Sequence, residues 1–222
     1  LMKTINNLPM RRILFLSACT LLLAACSQSP KQKAEALIKE NLQSTLYHPD
    51  TYAPSSTQLD SAFAPYDDPS FYEMTLKVAK LGILVSECEE EASRLRTSMS
   101  IWQGPYQTPF DRQNYKEYKA KYDAVVAKKG KAENEAEKLG KELRTSKDQN
   151  VTFIGFKAIH TYRAENNAGQ TVGGNMLYIF DKDMKQIIAA YDMDSQEFQA
   201  VNYIYKGMRG ETSMADEVSL DK

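Results

Sequence analysis

Two matched apolar stripes set the architecture of this chain. Met74, Val78, Leu81, Val85, Cys88, Ala92, Leu95, Met99 and Trp102 follow one another at intervals of four and three residues. Tyr115, Tyr118, Tyr122, Val125, Lys129, Ala132, Ala136, Leu139 and Leu143 repeat at three and four. A stripe of that period runs along one side of an α-helix and cannot belong to a strand, whose period is two. Each spans 29 residues, about 42 Å of helix at 1.5 Å per residue. Gly104, Pro105 and Pro109 fall between them, ending one helix and starting the next. Equal stripes across a tight break predict an antiparallel helical hairpin. Folding the stripes together sets Trp102 beside Tyr115, Leu95 beside Tyr122 and Cys88 beside Lys129. Lys129 is the one charged residue on this seam, with Glu87 and Glu91 near enough to pair with it.

The flanks have other periods. Ala34, Leu37, Ile38, Leu42 and Leu46 give one apolar helical face over residues 31–46, which His48-Pro49 should stop. Residues 55–66 read as a strand, and Pro65, Asp67, Asp68 and Pro69 as a turn. From residue 151 the pattern alternates: Ile154, Phe156, Ala158, His160 and Tyr162, then Val172, Gly174, Met176, Tyr178 and Phe180, then Gln186–Tyr191. Asn166-Asn167-Ala168-Gly169 and Asp181-Lys182-Asp183 supply the turns, so the expectation is an antiparallel meander. Asp194 with Glu197 resembles a capping box for a last helix bearing Phe198, Val201, Ile204 and Tyr205, which Gly207 should end.

The expected fold is therefore α+β: an N-terminal helix on a small antiparallel sheet, with a long antiparallel helical hairpin inserted between its first two strands. Residues 34–66 and 148–207 form the α+β part, 70–146 the insertion and 208–222 a polar tail. A helix laid across a meander resembles cystatin-like and nuclear-transport-factor-like folds, a likeness that carries no function.

The chain's N-terminal end speaks of location. Arg11 and Arg12 precede an apolar run from Ile13 to Ala25. That run is too short to span a bilayer, which takes roughly 20 residues, and it has the ordered parts of a secretory signal. It closes on Leu23-Ala24-Ala25-Cys26, which resembles the lipobox of bacterial lipoproteins. The resemblance implies cleavage between Ala25 and Cys26, a lipid on the Cys26 thiol and a signal peptide over residues 1–25. Residues 26–33 then form a short lipidated tether, reaching about 25 Å when extended. Serine after the cysteine, with no acid before Glu35, resembles the outer-membrane pattern and implies a periplasm-facing anchor. Residues 37–54, with Tyr47-His48-Pro49-Asp50-Thr51-Tyr52-Ala53-Pro54, resemble a helix–turn–strand block of uncharacterised Bacteroidetes lipoproteins. That group has no known activity to transfer.

Charge and cysteines narrow the chemistry. The chain holds 28 basic and 29 acidic residues. The first 25 carry Lys3, Arg11, Arg12 and no acid, so the remainder is four charges negative. Nothing in that balance points to nucleic acid. Cys19 leaves with the signal and Cys26 takes the lipid, so Cys88 is the one free thiol and no internal disulfide can form.

Candidate reactive groups each have a simpler use. His160 lies among apolar strand residues and reads as a core histidine, and His48 before Pro49 as a turn residue. No cysteine–histidine spacing suits zinc. Asp181, Asp183, Asp192 and Asp194 read as turn and cap residues, because a calcium loop starting at Asp181 would need glycine where Gln186 stands. Cys88 opposite Lys129 could have a lowered thiol pKa, but reads as a buried seam residue. Tyr115, Tyr118 and Tyr122 coincide with the stripe and read as seam packing. No catalytic, cofactor-binding or metal-binding residue is assigned, and no cofactor is expected. The expectation is a non-catalytic envelope lipoprotein whose partners are the membrane, through Cys26, and an envelope protein, through the hairpin. An envelope hydrolase or its inhibitor is one alternative, favoured by a deep pocket gathering His160 with carboxylates. A periplasmic adaptor of an export system is another, though the chain lacks the flanking lipoyl-like halves.

Overall fold

The structure is a computed structural model and describes residues 28–148 and 150–211. Cys26 and the signal lie outside the described residues, as does most of the expected tail. The chain is α+β. Helix α1, Pro30–Thr45, leads to β1, His48–Ala64. Helices α2, Pro69–Ile101, and α3, Pro109–Lys147, form the hairpin. Strands β2, Thr152–Glu165, β3, Thr171–Phe180, and β4, Ile187–Asp192, precede α4, Gln196–Arg209. The four strands make one antiparallel sheet in the order β1-β2-β3-β4, so the hairpin sits between two paired neighbours.

Local chemistry explains the ends. Ser29 and Gln32 form a capping box on α1, with Pro30 in the first turn. Asp68 caps α2, and Thr108 with Asp111 makes a second box on α3. Helix α4 is capped by Ser195, whose Oγ accepts the Phe198 amide, one residue after the expected Asp194. It runs past Gly207 to Arg209, because Gly210 is the residue that turns left-handed (φ 73°) and closes it. Strand β1 begins seven residues before the expected 55, and His48 and Pro49 are its first residues rather than a turn. As the sheet's edge it tolerates Pro49 and Pro54, and the pairing shifts register around both.

Two cores lie on opposite faces of the sheet. On one face, Ala34, Ile38 and Leu42 of α1 pack on Ala158, Tyr178 and Phe180. On the other, Phe71 and Tyr72 at the root of α2 and Leu143 of α3 pack with Val201 and Tyr205 of α4. The hairpin therefore does not satisfy itself along its whole length, since its root belongs to a core shared with α4 and the sheet.

Beyond the root the seam is as the stripes predict. Cys88 and Ala132 are buried and the other stripe positions between them and the tip are half-buried. Lys129 pairs across the seam with Glu89 at 2.7 Å, not Glu87 or Glu91, and with Glu133 on its own helix.

The hairpin also has a direction. The start of α1 lies by the β3–β4 turn, where Met184 joins its core. There Lys185, and more weakly Lys33 of α1, hold the Asp183 carboxyl below its usual range. Helices α2 and α4 run antiparallel: Phe71 meets Tyr205 late in α4, while Lys80 pairs with Glu197 at its start (2.7 Å). Helix α4 starts beyond the end of β4, so α2 travels toward the sheet end opposite the start of α1. The part of α2 past Lys80 extends about 30 Å further.

Candidate functional site

His160 is placed by the alternation of β2 on the face toward α1 and is 1% exposed. Its Nε2 lies 3.0 Å from Tyr52 Oη and its Nδ1 3.0 Å from Thr57 Oγ1, so both ring nitrogens are in use. The ring stacks on Tyr162 at 5.8 Å, with Tyr178 edge-on below. Burial pushes the imidazole pKa down, against smaller opposing pulls from Glu35 and the Ser56 backbone. A neutral ring suits one donor and one acceptor partner. A general base needs a nitrogen that a substrate proton can reach, and here both face hydroxyls of the fold. This is a polar clamp between β1 and β2. Gly174 makes room for it: a Cβ there would overlap the Tyr162 ring.

The other sequence candidates are dispersed. His48 starts β1, where its carbonyl accepts Thr51 Oγ1 at 2.7 Å. Cys88 is buried in the seam, and the nearby Lys129 ammonium is committed to two carboxylates. Asp181 Oδ1 accepts the amides of Lys185 and Gln186, and Asp192 Oδ1 that of Asp194, as turn residues do. Tyr115, Tyr118 and Tyr122 are half-buried along the seam, and Tyr122 Oη accepts from Arg96 at 2.9 Å. Among the described residues no three His, Cys, Asp or Glu side chains converge as a metal site would require. Nor is any helix among them long and apolar enough to cross a membrane.

Two features stand out. The first is the hairpin tip. Residues 97–110 carry no charge in a chain that is 26% charged. Ile101, Tyr106 and Phe110 are 70%, 93% and 67% exposed there. The connector is nonetheless held: Trp102 meets Phe110 edge-on at 5.8 Å, and Gln107 Nε2 donates to the Trp102 carbonyl at 2.9 Å. Isolated apolar residues on a surface are ordinary; these three share one uncharged segment at the end of the arm.

The second is a cavity of about 120 Å³ between α4, the hairpin root and the sheet. Tyr66, Tyr72, Tyr191, Phe198 and Tyr205 wall it, Leu177 and Ile179 of β3 floor it, and Asp67, Asn202 and Arg209 stand as its polar groups. Sequence reasoning assigned Phe198, Val201 and Tyr205 to an apolar helix face but missed the site. The available signal was the aromatic set Tyr66, Phe71 and Tyr72 just before the first stripe, too dense for a hairpin entrance alone. His160 lines neither this cavity nor the shallower ones at the hairpin root. Comparison with protein-family models, curated proteins and solved structures finds no match.

Proposed function

We propose that this chain is a lipoprotein of the bacterial outer membrane, anchored through Cys26 and facing the periplasm, that acts as a non-catalytic binding module of the envelope. The anchor reading is supported by Leu23–Cys26 at the end of a signal-like segment. The binding reading is carried by one observation: the tip exposes Ile101, Tyr106 and Phe110 while the arm behind it packs its own apolar stripe. Because the arm leaves the sheet at the end opposite the start of α1, an anchor ahead of α1 leaves the tip pointing away from the membrane. A protein surface reached at that distance is the partner the arrangement favours. His160, tied on both nitrogens, supplies no base for the hydrolase alternative.

The test has two arms. Palmitate labelling of the wild type and of Cys26→Ser reports the anchor; incorporation that Cys26→Ser does not abolish defeats that part. A photo-crosslinker at Tyr106 should capture one discrete envelope protein that a crosslinker at the exposed Glu142 does not, and Ile101→Ser/Phe110→Ser should remove it. Identical crosslinks from both positions defeat the tip as the binding end.

A further inference from the structure

The cavity under α4 is built as a binding site and not as a packing gap. It has an aromatic well with a polar set at its rim. Tyr205, buried on its wall, turns its hydroxyl to Thr75, which gives its own proton to the Phe71 carbonyl at 2.8 Å. The polar group left open to the cavity is the Arg209 guanidinium.

Charge selects the visitor. Asp67 is the one carboxylate of the lining, and it is already neutralised: Lys157 Nζ lies 2.9 Å from both its oxygens, and the Phe63 amide donates to Oδ2 at 2.8 Å. Arg209 is less committed. Its guanidinium lies over the Tyr66 ring at 4.3 Å, and its carboxylate partner Glu211 is exposed and 3.9 Å away. The guanidinium fills the aromatic face that a cationic ligand would use. What remains at the mouth is positive charge, beside an apolar well.

We propose that the cavity binds a small carboxylate bearing one aromatic ring or branched aliphatic group. The apolar part lies among Tyr72, Tyr191 and Ile179, and the carboxylate takes its donors from Arg209. The cavity, about 120 Å³, is smaller than the roughly 150 Å³ that encloses a benzene ring, so the carboxylate lies outside it, at the open rim. The site depends neither on the lipid anchor nor on what the hairpin tip contacts.

The experiment is a titration of the full-length protein, methyl-labelled in a non-ionic detergent. The probes are benzoate, isovalerate, benzyl alcohol and tetramethylammonium. Benzoate or isovalerate should give saturable shifts at Leu177, Ile179 and Val201, with benzyl alcohol about tenfold weaker for want of the charge-assisted pair. Arg209→Gln, at an exposed guanidinium, should bring benzoate to the level of benzyl alcohol while the rest of the spectrum overlays. The proposal is overturned if neither carboxylate shifts these methyls up to about 10 mM, if tetramethylammonium binds more tightly, or if Arg209→Gln leaves benzoate unchanged.

Discussion

Tyr72 stacks on Tyr191 with ring centroids 3.9 Å apart, joining the first turn of the hairpin to the outer strand β4. Through it the insertion is tied to the sheet rather than merely carried by it. Tyr66 against Tyr205 at 5.1 Å and Phe71 on Tyr205 at 5.6 Å extend the junction to α4. Burial pushes the Tyr191 hydroxyl up to about 12, so it stays neutral at any physiological pH and the contact is aromatic, not ionic.

Tyr72→Ala should therefore act on α4 and β4 more than on the arm. Loss of a buried ring costs about 3–5 kcal/mol. Hydrogen exchange should speed at residues 187–209, while amides flanking Cys88 keep their protection. Acceleration confined to the hairpin would show that α4 does not depend on this contact.

His160 gives the fold a pH dependence of known sign. Its pKa is lowered from 6.5 in the folded chain. Between that folded value and 6.5 the unfolded chain binds more protons, so stability is full above about 6.5 and falls as pH drops through this window. One proton contributes at most about 1.4 kcal/mol per pH unit. His160→Gln keeps a donor and an acceptor for Tyr52 and Thr57 but cannot titrate. From pH 7.5 to 5.5 the wild type should lose more melting temperature than the variant. Equal losses would place the titration elsewhere.

Gly174 is the condition for the same clamp. With any Cβ at 174 the Tyr162 ring must leave its place, and with it the stacking on His160. Gly174→Ala should cost about 1–3 kcal/mol, the range for overpacking, and the Tyr162→Ala background should reduce that cost. Additive effects would deny the coupling.

The helical period was legible because it depends on spacing alone: all 18 stripe residues from Met74 to Leu143 lie on buried or half-buried positions. The alternation at Phe156–Tyr162 was legible for the same reason. Pro49 and Pro54 hid the first half of β1, since proline signals a turn unless the strand is known to be an edge, which is a property of the whole sheet. The partner of Lys129 was misplaced by two residues, since Glu87, Glu89 and Glu91 all lie around Cys88 in the sequence and side-chain geometry decides among them. Of the cavity only the dense aromatic run Tyr66, Phe71 and Tyr72 showed in the sequence, because Tyr66, Tyr191 and Arg209 meet only through the antiparallel crossing of α2 and α4. No local pattern encodes that crossing.

The two cores predict two separable openings. Leu95 lies on the arm beyond the root, where the seam is closed only by α2 and α3. An aspartate there loses leucine packing and meets apolar neighbours, at a cost of about 2–5 kcal/mol. Nothing in the sheet touches that level of the seam: Lys80, some four turns earlier, already pairs with the start of α4. Leu95→Asp should thus strip exchange protection from the distal arm as one contiguous unit. It should also expose Cys88, buried in the wild type, to a bulky thiol reagent. Protection at 152–180 should hold. Loss of protection in the strands together with the arm would mean that the hairpin and sheet open as one unit, and the arm could not move or bind independently of the domain that carries it.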